Sequence, residues 1–110
     1  MKKFILPILS SFFLLSQTAN AWDAHFEDTV SRVVVDNTAG SIILLLNSEV
    51  IPVNTGCTYN KKPRWKIDQP MSEYLYSASL AALSTGAKVK IYTVGCISGY
   101  PKLERIEVIK

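Results

Sequence analysis

The residues of this 110-residue chain that could act as bases, nucleophiles or ligands are few and scattered. His25 is the single histidine, and it sits among Asp23, Glu27 and Asp28 near the start of the sequence. Nucleophilic catalysis needs a base beside a serine or cysteine, and His25 on this polar stretch has no nucleophile at a recognisable spacing. Three clustered carboxylates could divide acid and base roles, but on a polar segment such clustering is the pattern of a solvated surface. There is no glycine-rich phosphate loop, and Cys57 and Cys96, isolated from each other and from His25, lack zinc-ligand spacing. The chain is therefore read as not an enzyme, with no cofactor and no metal.

Its side chains are better suited to binding. The run Lys61-Lys62-Pro63-Arg64-Trp65-Lys66 places four positive charges around one aromatic ring, a mixture able to pair with phosphates and stack on bases, or to meet an anionic glycan or lipid headgroup. The plainer reading, which we prefer, is a solvated basic loop with Trp65 turned into the core. Sugar recognition uses aromatic faces together with hydroxyl and amide partners, and Tyr59, Tyr92, Tyr100, Ser31 and Asn60 are of those types.

The first 21 residues, MKKFILPILSSFFLLSQTANA, have the form of a signal peptide: Lys2 and Lys3, an apolar run from Phe4 to Leu15, and Ala19-Asn20-Ala21 as a small-x-small cleavage site. The apolar run is shorter than the ~20 residues that span a bilayer and contains Pro7, so no stable membrane insertion is expected. Cleavage after Ala21 would send Trp22 to Lys110 to the periplasm or outside the cell as one small domain. Removing Lys2 and Lys3 from 12 basic residues leaves 10 against 9 acidic ones, a net charge of +1. That balance argues against nucleic acid as a partner, since phosphate binding then needs a local field built from one cluster. In an oxidising compartment Cys57 and Cys96 can pair in only one way, and closing that loop would stabilise so small a domain by up to ~4 kcal/mol.

The elements that must position these residues follow from periodicity and turn chemistry. Trp22 to Asp28 reads as a polar arm with two aromatic anchors. Thr29 to Asp36 is rich in β-branched residues, and Asn37-Thr38-Ala39-Gly40 turns it back into the apolar run Ser41 to Leu46. Glu49 to Val53 reads as a third strand, confined to an edge because Pro52 cannot donate to a ladder. A helix is expected over roughly residues 70–85, with Asp68 or Gln69 as its cap, Pro70 in its first turn and Gly86 as its left-handed stop. Lys88 to Gly95 and Lys102 to Lys110 alternate as strands around a turn at Ser98 to Pro101. Three strands, a helix and two strands is the order of an OB-fold, a small mainly β barrel that binds oligosaccharides or oligonucleotides.

The helix carries little charge. Met71, Tyr74, Leu75, Ala78 and Ala82 recur at helical spacing, Tyr76, Leu80 and Leu83 form a second apolar stripe, and Glu73 is the one charge between Met71 and Gly86. A helix on the surface of a monomer shows a charged face. In so small a domain the second stripe is expected to meet a neighbouring copy, with Tyr76, Leu80 and Leu83 at the interface.

These features together resemble the OB-fold B subunits of bacterial AB5 toxins, of the pertussis and subtilase-cytotoxin type. The resemblance rests on the exported start with Trp22, on Ser31 leading into Arg32-Val33-Val34-Val35, on Cys57 followed by Trp65, on the helix ending Thr85-Gly86, and on Val89-Lys90-Ile91-Tyr92. It covers most of the chain after Ala21, although the single pair Cys57 and Cys96 and the end at Lys110 depart from relatives with a longer, cysteine-bearing C-terminal segment. It implies a ring of five copies with the helices around a central pore, host glycans, sialylated ones among them, bound on the outside, and a separate enzymatic A subunit as partner. The serine that contacts the sialic acid carboxylate falls at Ser31. Tyr92 and Tyr59, of the types that recognise sugars, and Thr93, which stands where relatives carry a further aromatic, complete the expected glycan set. The alternative from another class is a periplasmic or secreted protein-binding domain, an inhibitor or envelope component, without sugar affinity.

Overall fold

The computed structural model describes residues 24–110, so the proposed signal peptide lies outside the described residues. Five strands and one helix follow in the order β1 (Ala24–Asp36), β2 (Ser41–Leu46), β3 (Arg64–Lys66), α1 (Ser72–Thr85), β4 (Lys88–Ile97) and β5 (Tyr100–Ile109). The strands close a barrel in the order β1-β2-β3-β5-β4. The fold is a mainly β, OB-fold-like barrel with its helix between the third and fourth strands.

β1 serves two sheets. Its first half pairs with β4, from Ala24 opposite Thr93 to Thr29 opposite Lys88, and its second half pairs with β2. The change of partner falls at an irregularity between Val30 and Arg32, where a bulge sharpens the twist and bends the strand. Residues 24–28 are therefore strand and not the expected polar arm. Ala24 and Phe26 point inward while His25 and Glu27 are exposed, a period of two that carboxylates on the outer face do not disturb.

The third strand also lies elsewhere than expected. Glu49 to Val53 belongs to a long loop between β2 and β3, and the barrel strand is Arg64–Lys66, paired antiparallel with β2 and parallel with β5 through Arg64 and Lys102. Pro52 removes one ladder donor, and Asn60 satisfies the neighbouring backbone instead. Its Nδ2 donates to the carbonyls of Ile51 at 2.9 Å and Val53 at 2.8 Å, and its own carbonyl accepts from Ile51 N at 2.9 Å.

The core gathers Phe26, Val30, Ile42, Leu44, Trp65, Val89, Ile91 and Leu103 from the barrel, Ile51 from the loop, and Leu75 and Ala82 from the helix. Trp65 is fully buried, and its indole N–H donates to Ser72 Oγ at 2.9 Å, so the largest core side chain leaves no polar atom unmatched. The disulfide Cys57–Cys96 joins the long loop to the end of β4, with the Cα atoms 5.8 Å apart.

Helix α1 buries one narrow stripe, Ser72, Leu75, Ser79 and Ala82, against the barrel. Neither Asp68 nor Gln69 caps it: the N-cap is Met71, in the left-handed region at φ 68° and without a side-chain bond. Gly86 does end the helix, at φ 74°, its N–H donating to the Ala82 carbonyl. Met71 and Tyr74, expected on the packed stripe, are 65% and 69% exposed. They fall on one flank of the buried stripe, and Tyr76, Leu80 and Leu83 fall on the other.

Candidate binding site

Ser31 lies at the bulge between Val30 and Arg32; it faces outward with His25 and Glu27, and the alternation slips after it, leaving Arg32 exposed as well. Its hydroxyl donates to the carbonyls of Leu45 at 3.2 Å and Leu46 at 3.4 Å. Both bonds are long, so the hydroxyl can rotate toward a ligand at little cost. Beside it opens a cleft of about 200 Å³, walled by Ser31, Leu45 and Leu46 on the strands and by Ser48, Glu49, Ile51 and Lys62 on the long loop.

The loop wall is held firmly. Asp28 accepts from Ser48 N at 2.9 Å, and Asn47 N donates to the Thr29 carbonyl at 2.9 Å, tying the start of the loop to β1. Asn60 Oδ1 accepts from Thr55 Oγ1 at 2.6 Å and Thr55 N at 3.1 Å, which fixes the middle. Pro63 O accepts from Leu44 N at 2.9 Å and anchors the end. Lys62, in the left-handed region at φ 50°, brings a cation to the cleft, and among the described residues no carboxylate pairs with it. The cleft thus combines a weakly bonded hydroxyl, a cation, a carboxylate and apolar walls.

The other expected glycan residues are not gathered there. Tyr92 is opposite His25 on the outer face of the β1-β4-β5 sheet, its ring 5.6 Å from the imidazole and 4.8 Å from the Arg105 guanidinium. Six residue steps along the strand separate His25 from Ser31, about 20 Å at the usual rise, so Tyr92 and Ser31 of one copy cannot hold the same sugar. Thr93 is 1% exposed, and its hydroxyl donates to the Ala24 carbonyl at 3.5 Å, so it is corrected to an interior residue. It follows Val89 and Ile91 on the inner face of β4, and that periodicity outweighs its proximity to Tyr92.

Tyr59 belongs to a third place. It stacks on Tyr100 with ring centres 4.7 Å apart, and its backbone N–H donates to the Gly99 carbonyl at the β4–β5 turn. Gly99 is needed there twice over: its φ is 86°, and a Cβ would lie 3.1 Å from the Tyr59 ring. Asn60 serves the loop backbone and is not free for a ligand. Glu49 and Ile51, by contrast, carry no binding signal in the sequence, and Lys62 stands there only as part of the basic run; the folding of the loop against β1 brings all three beside Ser31.

No protein-family model and no curated protein matches this chain.

Proposed function

We propose that the protein is an exported glycan-binding subunit of the AB5 B-subunit type, assembling into a ring and accompanying a separate enzymatic A chain. The observation that carries the binding part is the cleft at Ser31. A sialylated glycan presents a carboxylate, and recognition of that group calls for a hydroxyl donor and a cation; Ser31 and Lys62 stand on opposite walls of one cleft. Glu49 is available for sugar hydroxyls, and Leu45 and Ile51 for the apolar face of the ring.

The assembly part is supported by the helix. Its buried stripe is flanked on both sides by exposed apolar residues, Met71 and Tyr74 on one and Leu80 and Leu83 on the other. Two different flanks suit a head-to-tail ring, in which each helix meets two neighbours by unlike surfaces. The line farthest from the barrel, Glu73, Ser77 and Ser84, is polar and would face the pore.

A glycan array with the mature protein, run beside light scattering, tests both parts. The expected result is a multimer that binds carboxylate-bearing glycans, and loss of roughly ten-fold or more of that affinity in Ser31→Ala, the effect of removing one hydrogen bond to a charged group. Binding that survives Ser31→Ala removes the site, and a single-copy mass removes the ring.

A further inference from the structure

Basic residues of β3, β5 and the loop before β3 converge on a different surface. Trp65 points into the core, so by strand alternation its neighbours Arg64 and Lys66 point outward. β5 runs beside β3 with Arg64 opposite Lys102, and the burial of Pro101 and Leu103 turns Tyr100 and Lys102 to the same outer face. Lys61 and Lys62 enter from the loop just before β3. Against these five cations stand four nearby carboxylates: Glu104, 3.8 Å from Lys102, Asp36, whose field acts on Arg64, Asp68, and Glu49, which lines the cleft with Lys62. The whole exported domain carries only +1, and this face accounts for that excess, while the charges on the rest of the surface balance.

The centre of the face is rigid. The Arg64 guanidinium lies 3.6 Å over the centre of the Tyr100 ring, and its Nε donates to the Lys62 carbonyl at 3.3 Å. A group that close occupies one face of the ring, so Tyr59 stacks on the other. Arg64, Tyr100 and Tyr59 form a three-layer ladder ending in a tyrosine that is 47% exposed. Arg64 and Tyr59 at this centre would lose few rotamers on binding.

The same ladder selects the kind of polyanion. Single-stranded nucleic acid is held by successive open aromatic faces, each taking a base. Here Tyr100 is covered on both sides and Trp65 is buried, which leaves Tyr59 as the one ring open for stacking among these residues. Charge on this face outnumbers stacking. We infer that it binds a linear sulfated polysaccharide, whose sulfates and carboxylates pair with Lys61, Lys62, Arg64, Lys66 and Lys102 while Tyr59 covers one sugar ring. Dense lysine and arginine clusters are the electrostatic footprint of such ligands. Lys62 borders both this face and the cleft, whereas Ser31, Arg64, Lys66, Lys102 and Tyr59 each belong to one of them, so the two sites are separable by substitution.

Salt-gradient elution of the mature protein from immobilised heparin, with solution competition by a heparin oligosaccharide and by a charge-matched single-stranded DNA, tests the assignment. The parent is expected to stay bound at physiological salt and to be displaced more readily by the heparin oligosaccharide. Lys61→Gln/Lys66→Gln/Lys102→Gln should weaken binding by roughly ten-fold or more, as lost ionic contacts do. Lys88→Gln/Lys90→Gln/Lys110→Gln, which removes equal charge from the β4 side, and Ser31→Ala should bind like the parent. All the lysines are exposed or half-buried, and circular dichroism checks that each variant folds. Failure of the parent to bind at physiological salt, or equal losses in the two triple variants, overturns the site; better displacement by the DNA reassigns it to nucleic acid and overturns the polysaccharide.

Discussion

Asn60 gives the loop between β2 and β3 the hydrogen bonds that a strand partner would otherwise provide. It donates to Ile51 and Val53 and accepts twice from Thr55, holding both limbs of the loop around one amide. Removing it in Asn60→Ala should lower unfolding stability by about 2–4 kcal/mol in urea titrations, since each bond contributes on the order of 1 kcal/mol and two carbonyls lose their donor. Asn60→Asp should not rescue it, because a carboxylate would face those same carbonyls. Sequence reading marks Asn60 as an available polar side chain and no more. A side chain that bonds backbone several residues away in a coiled loop leaves no periodic trace. Thr93 shows the reverse case: its inward position is legible from Val89 and Ile91, and its ligand role disappears with that burial.

At the level of elements, turn chemistry and period two are the most legible signals. The β1–β2 hairpin, β4 and the glycine stop at Gly86 all lie where local residues dictate. β3 is the least legible, being three residues long and defined by partners on either side. Helix α1 is legible as a helix, but which of its faces packs is not, since apolar residues occur on most sides. Small residues decide the matter: Ser72, Ser79 and Ala82 let the helix lie close to the barrel, which bulky Met71 and Tyr74 do not. A pair of substitutions separates core from proposed interface. Ala82→Glu, at a fully buried position, should unfold the domain by burying an unpaired charge. Leu80→Glu, on the exposed flank, should leave the circular dichroism spectrum intact and reduce the mass seen by light scattering. A Leu80→Glu variant that keeps its mass would remove that flank from the interface.

Across the whole molecule, the disulfide joins the two regions of greatest functional interest to the barrel. Cys57–Cys96 pins the loop that carries Lys62 and Tyr59 to the end of β4, beside the turn on which Tyr59 rests. Cys57→Ser/Cys96→Ser should lose up to ~4 kcal/mol of stability by the loop-entropy argument. Limited proteolysis of the folded variant should then cut first within residues 47–63, where the bridge and Asn60 replace regular pairing. Cutting elsewhere first would mean that the bridge holds the barrel and not the loop.

The sequence by itself determined the first hairpin, the last two strands, the place of the helix before them and the one available cysteine pair, because periodicity, glycine stops and cysteine count are local or arithmetic properties. Only the tertiary structure decided which residues stand together. It separated Ser31 from Tyr92, buried Thr93, and brought Lys62 and Glu49 to the Ser31 cleft. It also turned Trp65 inward and aligned Arg64 with Tyr100, making a basic loop and a distant strand into one charged face. The physical reason is closure of the barrel: pairing β3 with β5 across 35 or more residues of chain fixes neighbours that no local pattern encodes.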